Sequence, residues 1–198
     1  MRMKLLQTFL SFLFFLGLSA PASANTGLPM IFVTFPGMIV ALLPIILVES
    51  YVLSRQLAIP GRMAIKASSI ANVATTVVGI PLTWLALVVI QLATGGDQAY
   101  GLDSYLHKFL AVTWQAPWLI PYESDMYWMV PAATLTLLVP FFFVSWWIEY
   151  QIVKRTVVSS HPSGLSFAVR NANLASYGLL ALVVTLKLLF FRQTVFLI

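Results

Sequence analysis

Four residues carry most of the chemistry open to this chain. Glu49 lies inside the apolar run "LLPIILVESYVLSR" (42–55), and Glu149 lies in the similar phrase "WWIEYQIVKR" (146–155) of the second half. Asn72, in "ANVAT" (71–75), and Asn173, in "ANLAS" (172–176), follow them at corresponding places. A carboxylate in a hydrocarbon run costs roughly 2.5–3.5 kcal/mol on insertion scales, so it faces a partner or a water-filled space. A carboxyl beside a primary amide combines oxygen acceptors with N–H donors, a set able to hold a proton, a cation or a polar headgroup. The competing use is structural. About twenty apolar residues precede each glutamate, enough to span a bilayer core already. Both carboxylates would then lie in the headgroup zone, paired with Arg55, Arg62, Lys66, Arg155 or Arg170.

Composition fixes the setting of these residues. Hydrophobic residues make up 60% of the 198 and charged residues 9%, against roughly 45–50% and about 25% in soluble globular domains. With a mean hydropathy of +0.92 and several runs of spanning length, the chain is expected to be an all-α integral membrane protein. The net charge of +5 is no nucleic-acid signal, because the basic residues flank apolar runs, where they set orientation and meet lipid headgroups. Cysteine is absent, which excludes disulfides, thiolate metal sites and a cysteine nucleophile.

The first 24 residues read as a cleavable signal peptide: Arg2 and Lys4, an apolar stretch, Pro21, then "ASA" ending at Ala24. An uncleaved signal anchor is the alternative. Mature protein begins at Asn25 on this reading, outside a bacterial inner membrane. Four spans follow, at about 28–53, 67–93, 130–153 and 169–191. The two short connections carry Arg55, Arg62 and Lys66, and Lys154, Arg155 and Arg170, with no acidic residue; the segment 94–129 carries Asp97, Asp103, Glu123 and Asp125 against Lys108. The positive-inside rule makes the basic connections cytoplasmic and 94–129 periplasmic. Lys187 and Arg192 dissent, and long basic side chains that snorkel to the nearer interface account for them.

The repeated phrases predict two parallel helical hairpins, 25–93 and 130–198, joined by a periplasmic aromatic segment and related by a pseudo-two-fold axis along the membrane normal. Chance similarity between apolar stretches is the alternative. Ala67, Ala71, Thr75 and Gly79 recur at intervals of four on the second span, as do Ala168, Ala172 and Ser176 on the fourth. Such stripes let backbones approach closely, so the second and fourth spans are expected to meet along this seam, with a homodimer seam as the rival use.

Within 94–129, Leu106, Phe109, Leu110 and Trp114 recur at helical spacing while Asp103, His107, Lys108 and Gln115 take other faces, the pattern of a short interfacial helix. His107 with Glu123 and Asp125 lacks any metal-ligand spacing, and "HPSG" (161–164) reads as a turn. No phosphate loop, serine-nucleophile elbow or zinc-protease helix is present. No catalytic residue, metal or cofactor is therefore assigned. The partners expected are membrane lipids and either a second copy or another membrane protein. The leading functional class is a non-enzymatic accessory or interaction component working through the aromatic segment. A small transporter or channel using Glu49/Asn72 and Glu149/Asn173 ranks second, and a membrane enzyme third. The direction in which the two glutamates point discriminates the first two.

Overall fold

The computed structural model of the chain describes residues 27–120, 122–157 and 164–194. It is mostly helical, and four helices are long and apolar enough to cross a membrane: α1 (Met30–Leu57), α2 (Gly61–Ala93), α4 (Met126–Thr156) and α5 (Leu165–Thr194). That is the architecture of a multi-pass membrane protein. Between α2 and α4 lies the short helix α3 (Tyr105–Thr113), and a two-residue ribbon pairs β1 (Leu28–Pro29) with β2 (Trp118–Leu119). The proposed signal peptide and the turn holding His161 and Pro162 lie outside the described residues.

The bundle is apolar on its outside. Phe32, Ile39, Leu43, Val77, Phe143 and Leu182 are among many large side chains left exposed, while the buried set includes Glu49, Ser68, Asn72, Thr75, Ser145, Glu149, Asn173 and Ser176. This inversion of the soluble pattern suits lipid as the solvent. Two apolar cores sandwich the polar layer. One, at the ribbon end, contains Met30, Ile80, Leu119, Met129, Leu137 and Phe141; the other, at the end with the basic connections, contains Leu53, Leu57, Ala67, Ala71, Val153, Val169 and Ala172.

Around the bundle α1 packs on α2, α2 on α4, α4 on α5 and α5 on α1. The second and fourth spans are therefore diagonal partners and do not meet face to face as their stripes suggested. The small residues are nonetheless buried: Ala67, Ala71, Thr75, Gly79, Ala168, Ala172 and Ser176 all point into the bundle. Their lack of bulk admits the neighbouring helices α1 and α4, whose glutamates reach the centre. Because the stripes are covered within one chain, they present no free seam to a second copy.

Local sequence explains the departures from straight helix. The α1–α2 turn puts Ala58 at φ 51°, a left-handed conformation, and the Ser54 hydroxyl steadies it by donating to the Ile59 carbonyl at 2.9 Å. In α2 a π-helical turn spans Thr75–Gly79, just ahead of Pro81. Proline removes a backbone donor and crowds the preceding turn, and a widened turn accommodates both. The ribbon end is tied down by side chains. Gln91 donates to the Trp118 carbonyl and accepts from its N–H at 2.9 and 3.0 Å, Trp84 donates to the Pro117 carbonyl at 2.7 Å, and Gln115 donates to the carbonyls of Gly96 and Gln98.

Helix α3 sits the opposite way round from a surface helix. Tyr105, Leu106 and Phe109 face outward, whereas Ala111 and Val112, and Gln115 just past the end of the helix, face the protein. The polar face assigned to Gln115 is thus corrected: its amide is buried because the 94–99 loop supplies carbonyl acceptors for it.

Candidate functional site

Glu49 on α1 and Glu149 on α4 sit in the polar layer at the centre of the bundle, 1% and 3% exposed. Each is held first by the asparagine of the next helix in sequence. The Asn72 amide donates to Glu49 Oε2, and the Asn173 amide donates to Glu149 Oε2 at 2.8 Å. Both amides also donate to a carbonyl one turn back in their own helix, Asn72 to Ser68 at 3.0 Å and Asn173 to Val169 at 3.1 Å. These second bonds fix the amide orientation and aim the other N–H at the carboxyl.

A crosswise pair completes the arrangement. One turn beyond each asparagine stands a hydroxyl, and it reaches the glutamate of the other half: Ser176 on α5 donates to Glu49 Oε1 at 2.6 Å, and Thr75 on α2 donates to Glu149 Oε1 at 3.4 Å. Glu49 and Glu149 therefore share α2 and α5 as walls, each bonded to side chains of both helices. The hydrogen-bond partners found for both are amides and hydroxyls. The basic residues named as possible partners lie elsewhere: Arg55 covers the Tyr51 ring at 5.4 Å and Arg170 the Phe167 ring at 4.5 Å. Burial of the glutamates within the protein follows from the stripes of small residues that let α1 and α4 sink toward the axis.

Sequence reasoning missed three members of this layer. Ser68 contacts both Glu49 Oε2 at 3.4 Å and the Asn72 amide at 3.2 Å. Ser145 and Tyr177 bond each other at 2.6 Å, one turn outward of Glu149. Spacing could have found two of them, since Ser68 precedes Asn72 by one turn and Ser145 precedes Glu149 by one turn on the same helix face. Tyr177 carries no such signal.

A small enclosed cavity of about 40 Å³ adjoins the polar layer on the ribbon side, lined by Asn72, Thr75, Thr76, Ser145, Tyr177 and Phe141 among others. That is room for one or two waters beside several polar groups. Asn173 Oδ1, on a side chain with 0% exposure, has no hydrogen-bond partner within the protein. Away from this layer, Asp125 is engaged locally by the Trp128 indole N–H at 2.7 Å and the Ser124 hydroxyl at 2.8 Å, not by His107. Among the described residues no three of His, Cys, Asp and Glu cluster as metal ligands. The Glu123 side chain lies outside the description. Chemically, the central layer offers two carboxyls, an unpartnered amide oxygen and five hydroxyls, three of them on the carboxyls: a set for holding a proton or a small hard cation. Comparison with protein-family models, curated proteins and solved structures finds no match for the chain.

Proposed function

We propose that the chain is a small bacterial inner-membrane protein that binds a proton or an alkali-metal ion at the Glu49–Glu149 pair and moves it through the bundle. A signal peptide ending at Ala24 would deliver it, with Asn25 periplasmic and the basic connections cytoplasmic. Two parallel hairpin repeats would supply one glutamate each. The observation that carries this reading is the crosswise bonding: Asn72 and Ser176 on Glu49, Asn173 and Thr75 on Glu149. Each half contributes a carboxyl, an amide and a hydroxyl, and both hydroxyls reach the other half, which is consistent with a two-fold arrangement. Two carboxyls walled by the same two helices, and bonded to amide and hydroxyl donors, form a site that can take up a proton or a cation. Intramembrane carboxyls that face a bundle interior commonly mark ion pathways.

The accessory-component reading keeps one observation on its side: the outward apolar face of α3, where Tyr105 is 93% exposed with Leu106 and Phe109 beside it. Reconstitution separates the two. Full-length protein in liposomes loaded with a pH-sensitive dye should carry proton flux under an imposed potential, or sodium or potassium flux under a gradient. Glu49→Gln and Glu149→Gln should each abolish it, with the double variant no worse than either, because the pair works as a unit. Absence of all three fluxes from folded wild-type protein would return the assignment to the accessory class.

A further inference from the structure

The lipid-facing surface carries a groove with a charge at its mouth. It lies between α1, α4 and α5, encloses about 290 Å³, and is walled by Val33, Gly37 and Ala41, by Pro131 and Leu138, and by Leu180, with Lys187 at one end. From Val33 to Ala41 the groove runs about 12 Å along the helices. The antiparallel course of α5 makes Lys187 the one of its groove-lining residues, after Leu180, Val183 and Val184, that lies nearest the ribbon end. Thr34 and Thr134 also line it, but their hydroxyls donate to their own helices, to the Met30 and Val130 carbonyls at 2.8 Å each, and so add no free polar group. Gly37 leaves open space: a Cβ built there meets nothing within 4 Å. The floor is shared with the small polar cavity, through Met38, Leu138 and Leu180.

We propose that this groove is a phospholipid site, in which an acyl chain of the ribbon-side leaflet lies between α1, α4 and α5 and its anionic headgroup phosphate pairs with Lys187. Charge decides among occupants. Apart from Thr34 and Thr134, whose hydroxyls are engaged by their own helices, the wall is apolar, which suits a hydrocarbon chain, and the lysine at the headgroup end repels a cationic amphiphile while attracting a phosphate. Lys187 lies about two turns before the end of α5, and the groove gives its position a use that snorkelling alone does not. This inference is independent of the proposed ion function.

Native mass spectrometry of the full-length chain, titrated with phosphatidylglycerol and with phosphatidylcholine of identical acyl chains, tests it. One phosphatidylglycerol per chain should be retained at least tenfold more tightly than phosphatidylcholine. Lys187→Gln, with Lys187→Met as a second variant, should reduce phosphatidylglycerol to the phosphatidylcholine level. Gly37→Phe, with Gly37→Leu as the milder filler, should lose both lipids. Gly178→Phe, on another open stretch of α5, should change neither. Equal binding of the two lipids, an unchanged preference in the Lys187 variants, retention in the Gly37 variants, displacement by inorganic phosphate alone, or a lipid-free dimer would each overturn it.

Discussion

The crosswise hydroxyls make the sharpest test of the central layer, because the two differ in geometry while occupying corresponding positions. Ser176 is 0% exposed and lies 2.6 Å from Glu49 Oε1, whereas Thr75 lies 3.4 Å from Glu149 Oε1. Side-chain hydrogen bonds between membrane helices average about 0.6 kcal/mol and reach at most about 1.7. A separation of 3.4 Å is beyond the usual O–H···O range of about 2.5–3.0 Å, so Thr75 sits at the bottom of that scale and Ser176 near its top. Removing Ser176 leaves Glu49 with Asn72 and Ser68, so the loss is one bond and not an orphaned carboxyl. Ser176→Ala should therefore cost about 1–1.5 kcal/mol, close to tenfold in the unfolding constant, and Thr75→Val less than about 0.5 kcal/mol.

The assay is reversible unfolding of full-length protein by dodecyl sulfate in mixed micelles, followed by far-ultraviolet circular dichroism. The partner is identified by background. On Glu49→Leu, Ser176→Ala should cost almost nothing, since the acceptor is already gone; on Glu149→Leu it should keep its full cost. If the cost of Ser176→Ala persists on Glu49→Leu, or if Thr75→Val costs as much as Ser176→Ala, the crosswise arrangement is wrong.

Glycines give a contrast of sign. A Cβ at Gly27 would stand 2.0 Å from Trp118 Cδ1, against a rigid ring that stacks on Trp84 at 6.3 Å. Gly27→Ala should lower stability by about 1–3 kcal/mol through overpacking, while Gly178→Ala, in open space within α5, should raise it by roughly 0.5–1 kcal/mol, both read in the same micelles. At the ribbon end, the Trp128 indole N–H, then the Ser124 hydroxyl, hold the Asp125 carboxyl below its ordinary range, with Lys108 adding a smaller pull. A lowered folded value contributes stability above the unfolded value of about 3.9 and loses it as pH falls through the folded one. Trp128→Phe should accordingly flatten the acid side of a Tm-against-pH curve below about pH 4. Single cysteines at the exposed positions Ala99 and Ser166 should react with an impermeant maleimide from opposite sides of the membrane, the first from the periplasm, and labelling from one side would refute the proposed topology.

Much of this bundle is legible in the sequence because lipid imposes a simple rule: spans must be long, apolar and internally bonded. The four helices follow from run length alone. What periodicity could not supply is which helices are neighbours. The stripes through Ala71 and Ala172 announce close approach, but a stripe does not name its partner, and α2 and α5 turn theirs toward α1 and α4 instead of each other. The ribbon escaped notice because a pairing of two residues, Leu28 with Leu119 and Pro29 with Trp118, has no alternation to detect. The π turn at Thr75–Gly79 escaped because Pro81 reads equally well as a kink. Gln115 reads as a solvated residue on any helical wheel, and only the fold of the loop beneath it makes burial tolerable.

The two halves correspond in the polar layer and diverge outward of it, and in the proposed ion function that divergence would set the side from which the glutamates are reached. Inward, both halves close the layer alike, with Leu53 and Val153 among the small residues Ala67, Ala71, Ala168 and Ala172. Outward, α2 widens into its π turn while α5 continues as regular helix through Ser176 and Tyr177. An extra residue in one turn advances the helical phase by about 100°, so the outer part of α2 presents a different face to the centre than the outer part of α5. Thr76 follows the hydroxyl in the first half, and Tyr177, bonded to Ser145, follows it in the second. Between those unequal walls lies the small cavity, with Ile80 and Phe141 beyond it. In the proposed ion function, a cation arriving from the ribbon side crosses the core around Met30, Leu119, Met129 and Leu137 and, past Ile80 and Phe141, meets the cavity and its polar groups, whereas the inward route crosses a core with no polar cavity described in it. Phe141→Ala should therefore speed exchange at the pair from the ribbon side alone, and equal acceleration from both sides would show that the asymmetry of α2 has no bearing on access.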